Sequence, residues 1–138
     1  MKGGKNIKLW HPELSIILDD CEVGEDCVIH APVWIGNKVK IGNRVKIQAF
    51  AFIPEGLTIA DDCFIGPGVV MTNDRHPPSQ GKGWAETLIK KRAVIGANAT
   101  ILPGIIIGEG AIIGAGSVVI NNVPDGETWA GVPAKKIK

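Results

Sequence analysis

At 138 residues, with 15 basic against 14 acidic side chains and a formal net charge of +1, the chain has the length of one domain and lacks the cationic excess of a nucleic-acid-binding surface. Hydrophobic residues make up 45% but aromatics only 5%, which calls for a narrow core of Ile, Val and Ala. There is neither a run of about 20 apolar residues nor a charged-then-apolar leader pattern, so a cytoplasmic protein without membrane contact is expected.

Residues 1–13 precede any regular pattern and read as an N-terminal cap, with Trp10 and His11 covering the open end. From Ile17 onward, steps of six return Ile17, Val23, Ile29, Ile35, Ile41, Ile47, Ile53, Ile59, Ile65 and Met71. Four residues after each comes a second, mostly small residue, among them Cys21, Cys27, Ala51 and Cys63. A period of six matches neither a helix nor a half-exposed hairpin sheet. It fits a self-stacking unit in which each hexapeptide is one short strand plus a corner and three hexapeptides close a triangular coil.

Residues 14–71 and 95–130 are therefore expected to form coils of 18 residues, about 4.8 Å apart, with about five coils between Ile17 and Ala130 making a prism roughly 24 Å long. Glycines follow the inward aliphatic residue at Gly24, Gly36, Gly42, Gly66, Gly96, Gly108 and Gly114, and are expected to supply positive φ at the corners. The three cysteines read as core fillers. Cys27 and Cys63 would lie two coils apart, about 9.6 Å, beyond the reach of a disulfide. His30 falls at an outward corner and reads as a surface residue. A prism this thin buries little by itself, so self-association around a threefold axis is expected.

At residues 72–94 the period fails. The inward slot after Met71 holds Arg75, and the segment that follows is polar, with Pro77, Pro78, Gly81 and Gly83. A loop of this length in an otherwise regular domain is a place to look for function, and His76 is the histidine most suited to it. The ladder resumes over 95–130 with Ile95, Ile101, Ile107, Ile113 and Val119, and 131–138 form a basic tail.

Taken together, the ladder, the loop and the closing AGVPAKKIK resemble the hexapeptide-repeat acyltransferases. That resemblance implies an all-β fold, a left-handed parallel β-helix, working as a homotrimer with acetyl-CoA as co-substrate and no metal. The KIQ at Lys46–Gln48 and the TND at Thr72–Asp74 are similar to the branch that N-acetylates amino groups on nucleotide-linked sugars for polysaccharide biosynthesis. His76 followed by Pro77, after Ile65, Pro67 and Val69, matches the general base of sugar acetyltransferases of this fold. Asp74, by proximity, is the candidate to orient its ring. The resemblance sets Gln48, Asn73 and Asp74 beside the sugar, and the main chains at Ala97 and Ala115 along the pantetheine arm. Lys135 and Lys138 match arginines placed near the phosphates.

The chemistry is consistent with those roles. An amino-sugar nitrogen, taken to resemble an α-amino group, has a pKa near 8 and attacks a thioester only as the free base, while an imidazole near 6.5 can accept the proton it sheds. Three other readings use the same prism: transfer to a sugar hydroxyl, a zinc enzyme of the γ-carbonic-anhydrase type needing three convergent histidines, and a non-catalytic β-helix binder.

Overall fold

The computed structural model describes residues 1–138 and is a left-handed parallel β-helix with almost no helix. Two-residue strands form three sheets, one on each side of a triangular prism. The first side includes Glu22–Val23, Lys40–Ile41 and Thr58–Ile59, the second Val28–Ile29, Lys46–Ile47 and Phe64–Ile65, and the third Trp34–Ile35, Phe52–Ile53 and Val70–Met71. Each strand pairs in parallel with the residues one coil away, as in Ile17 with Ile35 and Ile35 with Ile53. Parallel crossovers are normally right-handed because long strands twist. Strands two residues long carry too little twist to impose that hand, so the corner conformation is free to set it.

The ladder residue of each strand points inward. Ile35, Ile47, Ile53, Ile65, Ile95 and Ile101 are fully buried, and the residue four later fills the space beside the corner, as Val39, Ala51, Val69 and Ala99 do. Cys21, Cys27 and Cys63 are buried free thiols within this core. Desolvation pushes all three thiols upward, Cys63 to about 11, so none is a thiolate at neutral pH.

The stack is longer than five coils. Lys2–Gly3 and Lys8–Leu9 pair with Glu22–Val23 and Val28–Ile29, so the segment expected to cap the prism extends it instead. Its period is masked because a 3-10 turn at Pro12–Leu14 lengthens the step from Leu9 to Ile17. At the other end Thr128–Gly131 adds a rung to the second side and turns back, antiparallel, as Ala134–Lys136. Trp10 stacks on His30 across neighbouring coils, with ring centroids 6.2 Å apart and planes within 11°. His11 is exposed, with Nδ1 3.2 Å from Oε1 of Glu13.

The corner glycines work differently from the expectation. Positive φ occurs three residues after the ladder residue, at Asp26, Lys38, Arg44, Phe50, Asp62 and Asn98, and at Gly56 and Gly68. Gly66 and Gly96, one residue after the ladder, are needed for closeness: a Cβ there would lie 2.8 Å from the Ala97 nitrogen and 2.6 Å from the Ala115 nitrogen. The left-handed corners are also tied by charge. The guanidinium of Arg44 donates to both Asp62 oxygens, at 2.7 and 3.1 Å, and Arg92 pairs with Glu109.

Candidate active site

The ladder is interrupted for fewer residues than the sequence implies. Leu88–Ile89 already pairs with Thr58–Ile59 on the first side, so Ile89 is a ladder residue and the excursion ends at Thr87. The inward slot that Arg75 fails to fill is taken by Thr87, which is buried, and whose hydroxyl accepts the Gly104 N–H at 3.1 Å. A polar side chain disguised the resumption of the period. Arg75 lies outside the prism, with its guanidinium against the Gly104 corner.

The excursion leaves the edge between the third and first sides and folds on itself. Asp74 and Trp84 form an antiparallel bridge, flanked by the Ala85 N–H donating to the Asn73 carbonyl at 2.7 Å. Asn73 Nδ2 donates to the Glu55 carbonyl at 3.0 Å, which ties the loop's root to the coil beneath it. The Asp74 carboxylate accepts the backbone N–H of Ser79 at 2.8 Å and of His76 at 3.1 Å. The Ser79 bond, foremost, holds its carboxyl below the ordinary aspartate value. Asp74 thus gathers the loop's own backbone. It makes no hydrogen bond to the His76 ring, and the imidazole is exposed at the loop surface.

The remaining sequence-picked residues sit on another edge. Gln48, Ala97 and Ala115 all follow second-side strands, on the edge between the second and third sides. Ala97 and Ala115 occupy adjacent coils, linked by the Gly116 N–H donating to the Ala97 carbonyl at 2.8 Å. Lys135 lies opposite Ala130 in the terminal hairpin, one coil farther along. Lys138 follows, its carbonyl accepting the Thr128 N–H at 2.6 Å. Within one chain the two groups, Gln48 with the alanines and lysines, and Asn73 with Asp74 and His76, face each other across the whole third side. Six residues of extended chain make that side up to about 20 Å wide.

Sequence reasoning missed a cleft of about 420 Å³ beneath the loop. Trp34 and Phe52, on adjacent rungs of the third side, form one wall and Trp84 and Pro77 of the loop another, while Asn37 and Glu55 are among its polar groups. The signal was present: Trp34 and Phe52 are aromatic residues 18 apart at outward positions, where a solvated prism has no use for them. His11 and His30 follow paired strands of the second side on neighbouring coils while His76 lies in the loop after the third side, and no group of three His, Cys, Asp or Glu side chains is arranged to hold a metal.

Comparison with known proteins places these features in context. The family model described as bacterial transferase hexapeptide (six repeats) matches residues 38–73 and 86–121, on either side of the loop, and a model described as hexapeptide repeat of succinyl-transferase matches 16–49. A serine acetyltransferase of Buchnera aphidicola is 40% identical over 92% of this chain and 45% of its own length. The structure of GDP-perosamine N-acetyl transferase from Caulobacter crescentus in complex with CoA and GDP-perosamine is 27% identical, with a TM-score of 0.82 over 96% of this chain and 58% of that one. AntD, an N-acyltransferase from Bacillus cereus in complex with dTDP and coenzyme A, is 25% identical, with a TM-score of 0.79 over 99% of this chain and 82% of that one. The chain spans less than half the length of the curated relatives it matches.

Proposed function

The chain belongs to the bacterial hexapeptide-repeat transferases, and on that premise we propose that it transfers the acetyl group of acetyl-CoA to the amine of a nucleotide-linked amino sugar, as a homotrimer. The observation that carries this reading is the division of its candidate residues between two edges of one prism. A second copy around a threefold axis brings the edge bearing Gln48, Ala97 and Ala115 against the loop of its neighbour, so the site is built between copies. The neighbours solved with coenzyme A, one with GDP-perosamine and one with dTDP, support the choice of both substrates.

In this reading the pantetheine arm lies along the small-residue edge, where Ala97 and Ala115 present main chain without bulk, and Lys135 and Lys138 meet the phosphates. Gln48, Asn73 and Asp74 face the acceptor. The free amine attacks the thioester carbonyl, the N–C bond forms, and a backbone N–H at a coil corner receives the oxyanion. His76 takes the proton released from nitrogen as the C–S bond breaks and returns one to the departing thiolate. Asp74 serves by holding the loop that carries His76. Most of the acceleration comes from holding amine and thioester side by side. The reading sets this step in the cytoplasm, on the way to a polysaccharide. No helix is long and apolar enough to cross a membrane.

Two measurements test the reading. Acetyl-CoA raises the melting temperature of purified protein, and a free-thiol assay with a panel of UDP-, GDP- and dTDP-linked amino sugars detects release of coenzyme A. Absence of a thermal shift at millimolar acetyl-CoA sinks the enzyme reading. Thiol release with hydroxyl analogues alone assigns the transfer to oxygen.

A further inference from the structure

The cleft under the loop has a chemical character that none of the residues assigned so far explains. Trp34 and Phe52 leave 37% and 40% of their surfaces exposed and stack on one another, with ring centroids 6.1 Å apart and planes 26° apart. Trp84, 46% exposed, reaches over from the loop. A soluble prism that leaves three large aromatics facing one hollow has kept them for a ligand.

The charges around the hollow define which ligand. Glu55 and Asp74 line it, and no lysine or arginine does. Lys38, which follows the lining residue Asn37, pairs with Glu55 through Nζ at 3.6 Å from Oε1, which leaves the second carboxylate oxygen free of that contact. Asn37 uses its Oδ1 to accept the Asp20 N–H at 3.2 Å, so its amide N–H groups remain for a bound molecule. Such a lining repels a diphosphate and attracts an ammonium, which aromatic faces also favour. Indole faces stack equally well on the C–H face of a pyranose ring.

We propose that this cleft holds the amine-bearing ring of the acceptor, stacked on Trp34 and Trp84 with Glu55 drawing in its nitrogen, while the nucleoside diphosphate stays outside. The inference rests on the acceptor class proposed above and adds the orientation and the residues that select it. Asp74 and Pro77 line the cleft on either side of His76 in sequence, so a ring seated there lies against the loop segment that carries the proposed base. Phe52 continues the wall that Trp34 begins. The site favours a ring with an uninterrupted apolar face, such as a deoxy amino sugar, over a fully hydroxylated one.

Tryptophan fluorescence tests this without requiring turnover. The probes are UDP-, GDP- and dTDP-linked 4-amino-4,6-dideoxyhexoses, their 4-hydroxy counterparts and the three nucleoside diphosphates alone. At least one amino conjugate is expected to quench emission, its hydroxy counterpart to bind at least tenfold more weakly, and the diphosphates to leave emission unchanged. Trp34→Ala, Trp84→Ala and Glu55→Gln are each expected to raise the acceptor KM tenfold or more. The thermal shift given by acetyl-CoA should be retained, which also reports that the variants fold.

Quenching by a diphosphate alone as strong as by its conjugate overturns the proposal by placing the base in the cleft. Variants that acetylate with an acceptor KM within twofold of the parent overturn it while leaving the acetyltransferase reading intact. Quenching by an amino conjugate that is never acetylated supports the cleft and removes the proposed reaction. If no conjugate quenches, the cleft is not the acceptor site.

Discussion

The Asp74 carboxylate accepts the Ser79 backbone N–H at 2.8 Å, and this single contact closes five residues of the loop around the side chain expected to orient a histidine. With a second bond from the His76 N–H, it makes Asp74 the organiser of the loop backbone. His76 is then placed through the main chain, and its ring stays exposed at the loop surface.

Asp74→Ala should therefore loosen the loop before it affects chemistry. Limited proteolysis is expected to cut between residues 74 and 84 in the variant and not in the parent, with the prism's melting temperature little changed. Equal protection in both would mean that the carboxylate has no organising role.

The same contact has a pH signature. Because the folded carboxyl is held below its ordinary value, the loop's protection is complete above the unfolded aspartate pKa of about 3.9 and is lost only as pH falls through the lower folded value. Proteolysis by an acid protease should find the loop closed at pH 4 and open well below it. Opening already at pH 5 would contradict the depressed carboxyl.

His76→Ala should lower turnover by about 10² or more with the melting temperature almost unchanged, as expected for loss of a general base at an exposed position. Undiminished turnover removes His76 from the mechanism and leaves the proton to water or the coenzyme.

Gly96→Ala places a methyl group 2.6 Å from the Ala115 nitrogen, and backbone on both sides prevents either from yielding. A loss of about 2 kcal/mol or more is expected, seen in chemical denaturation. Gly110→Ala meets nothing within 4 Å and strains only its positive φ, so it should cost about 1 kcal/mol. A reversed order would show that corner conformation outweighs coil spacing.

Cys63 gives the fold an alkaline limit. Its thiol is pushed from 9.0 to about 11 by burial, so between those values the unfolded chain has lost a proton that the folded chain keeps. The unfolded state then binds fewer protons, and stability falls with rising pH by about 1 kcal/mol per unit for this group. Cys63→Ala should flatten the decline between pH 9 and 11, and in the parent at pH 8 a thiol reagent should react only after unfolding.

Most of the scaffold was legible because ladder residues are buried without exception from Val23 to Met71, and a core of one ladder residue per strand makes those inward positions visible as a step of six. What escaped notice did so for local reasons. Thr87 concealed a coil because its hydroxyl is satisfied by the Gly104 N–H inside the prism, and Lys2–Leu9 did so because a 3-10 turn shifts the count. The glycines were located correctly but for a different reason, since close approach between coils depends on atoms 18 residues away. Of the candidate site, the loop and His76 were visible as a break in the pattern, whereas the cleft walls at Trp34 and Phe52 were not, because an outward position has no required residue type.

By itself, then, the sequence determined the period, the buried face, the reduced state of three interior cysteines and the place where the ladder yields to a loop, since all of these follow from which side chains must avoid water. Only the tertiary structure decided that Asp74 gathers backbone N–H groups, that Gln48 and His76 occupy different edges, and that aromatic side chains from two coils and the loop enclose a hollow. Those relations join residues distant in the chain through the closing of each 18-residue turn, and no local preference for burial encodes them.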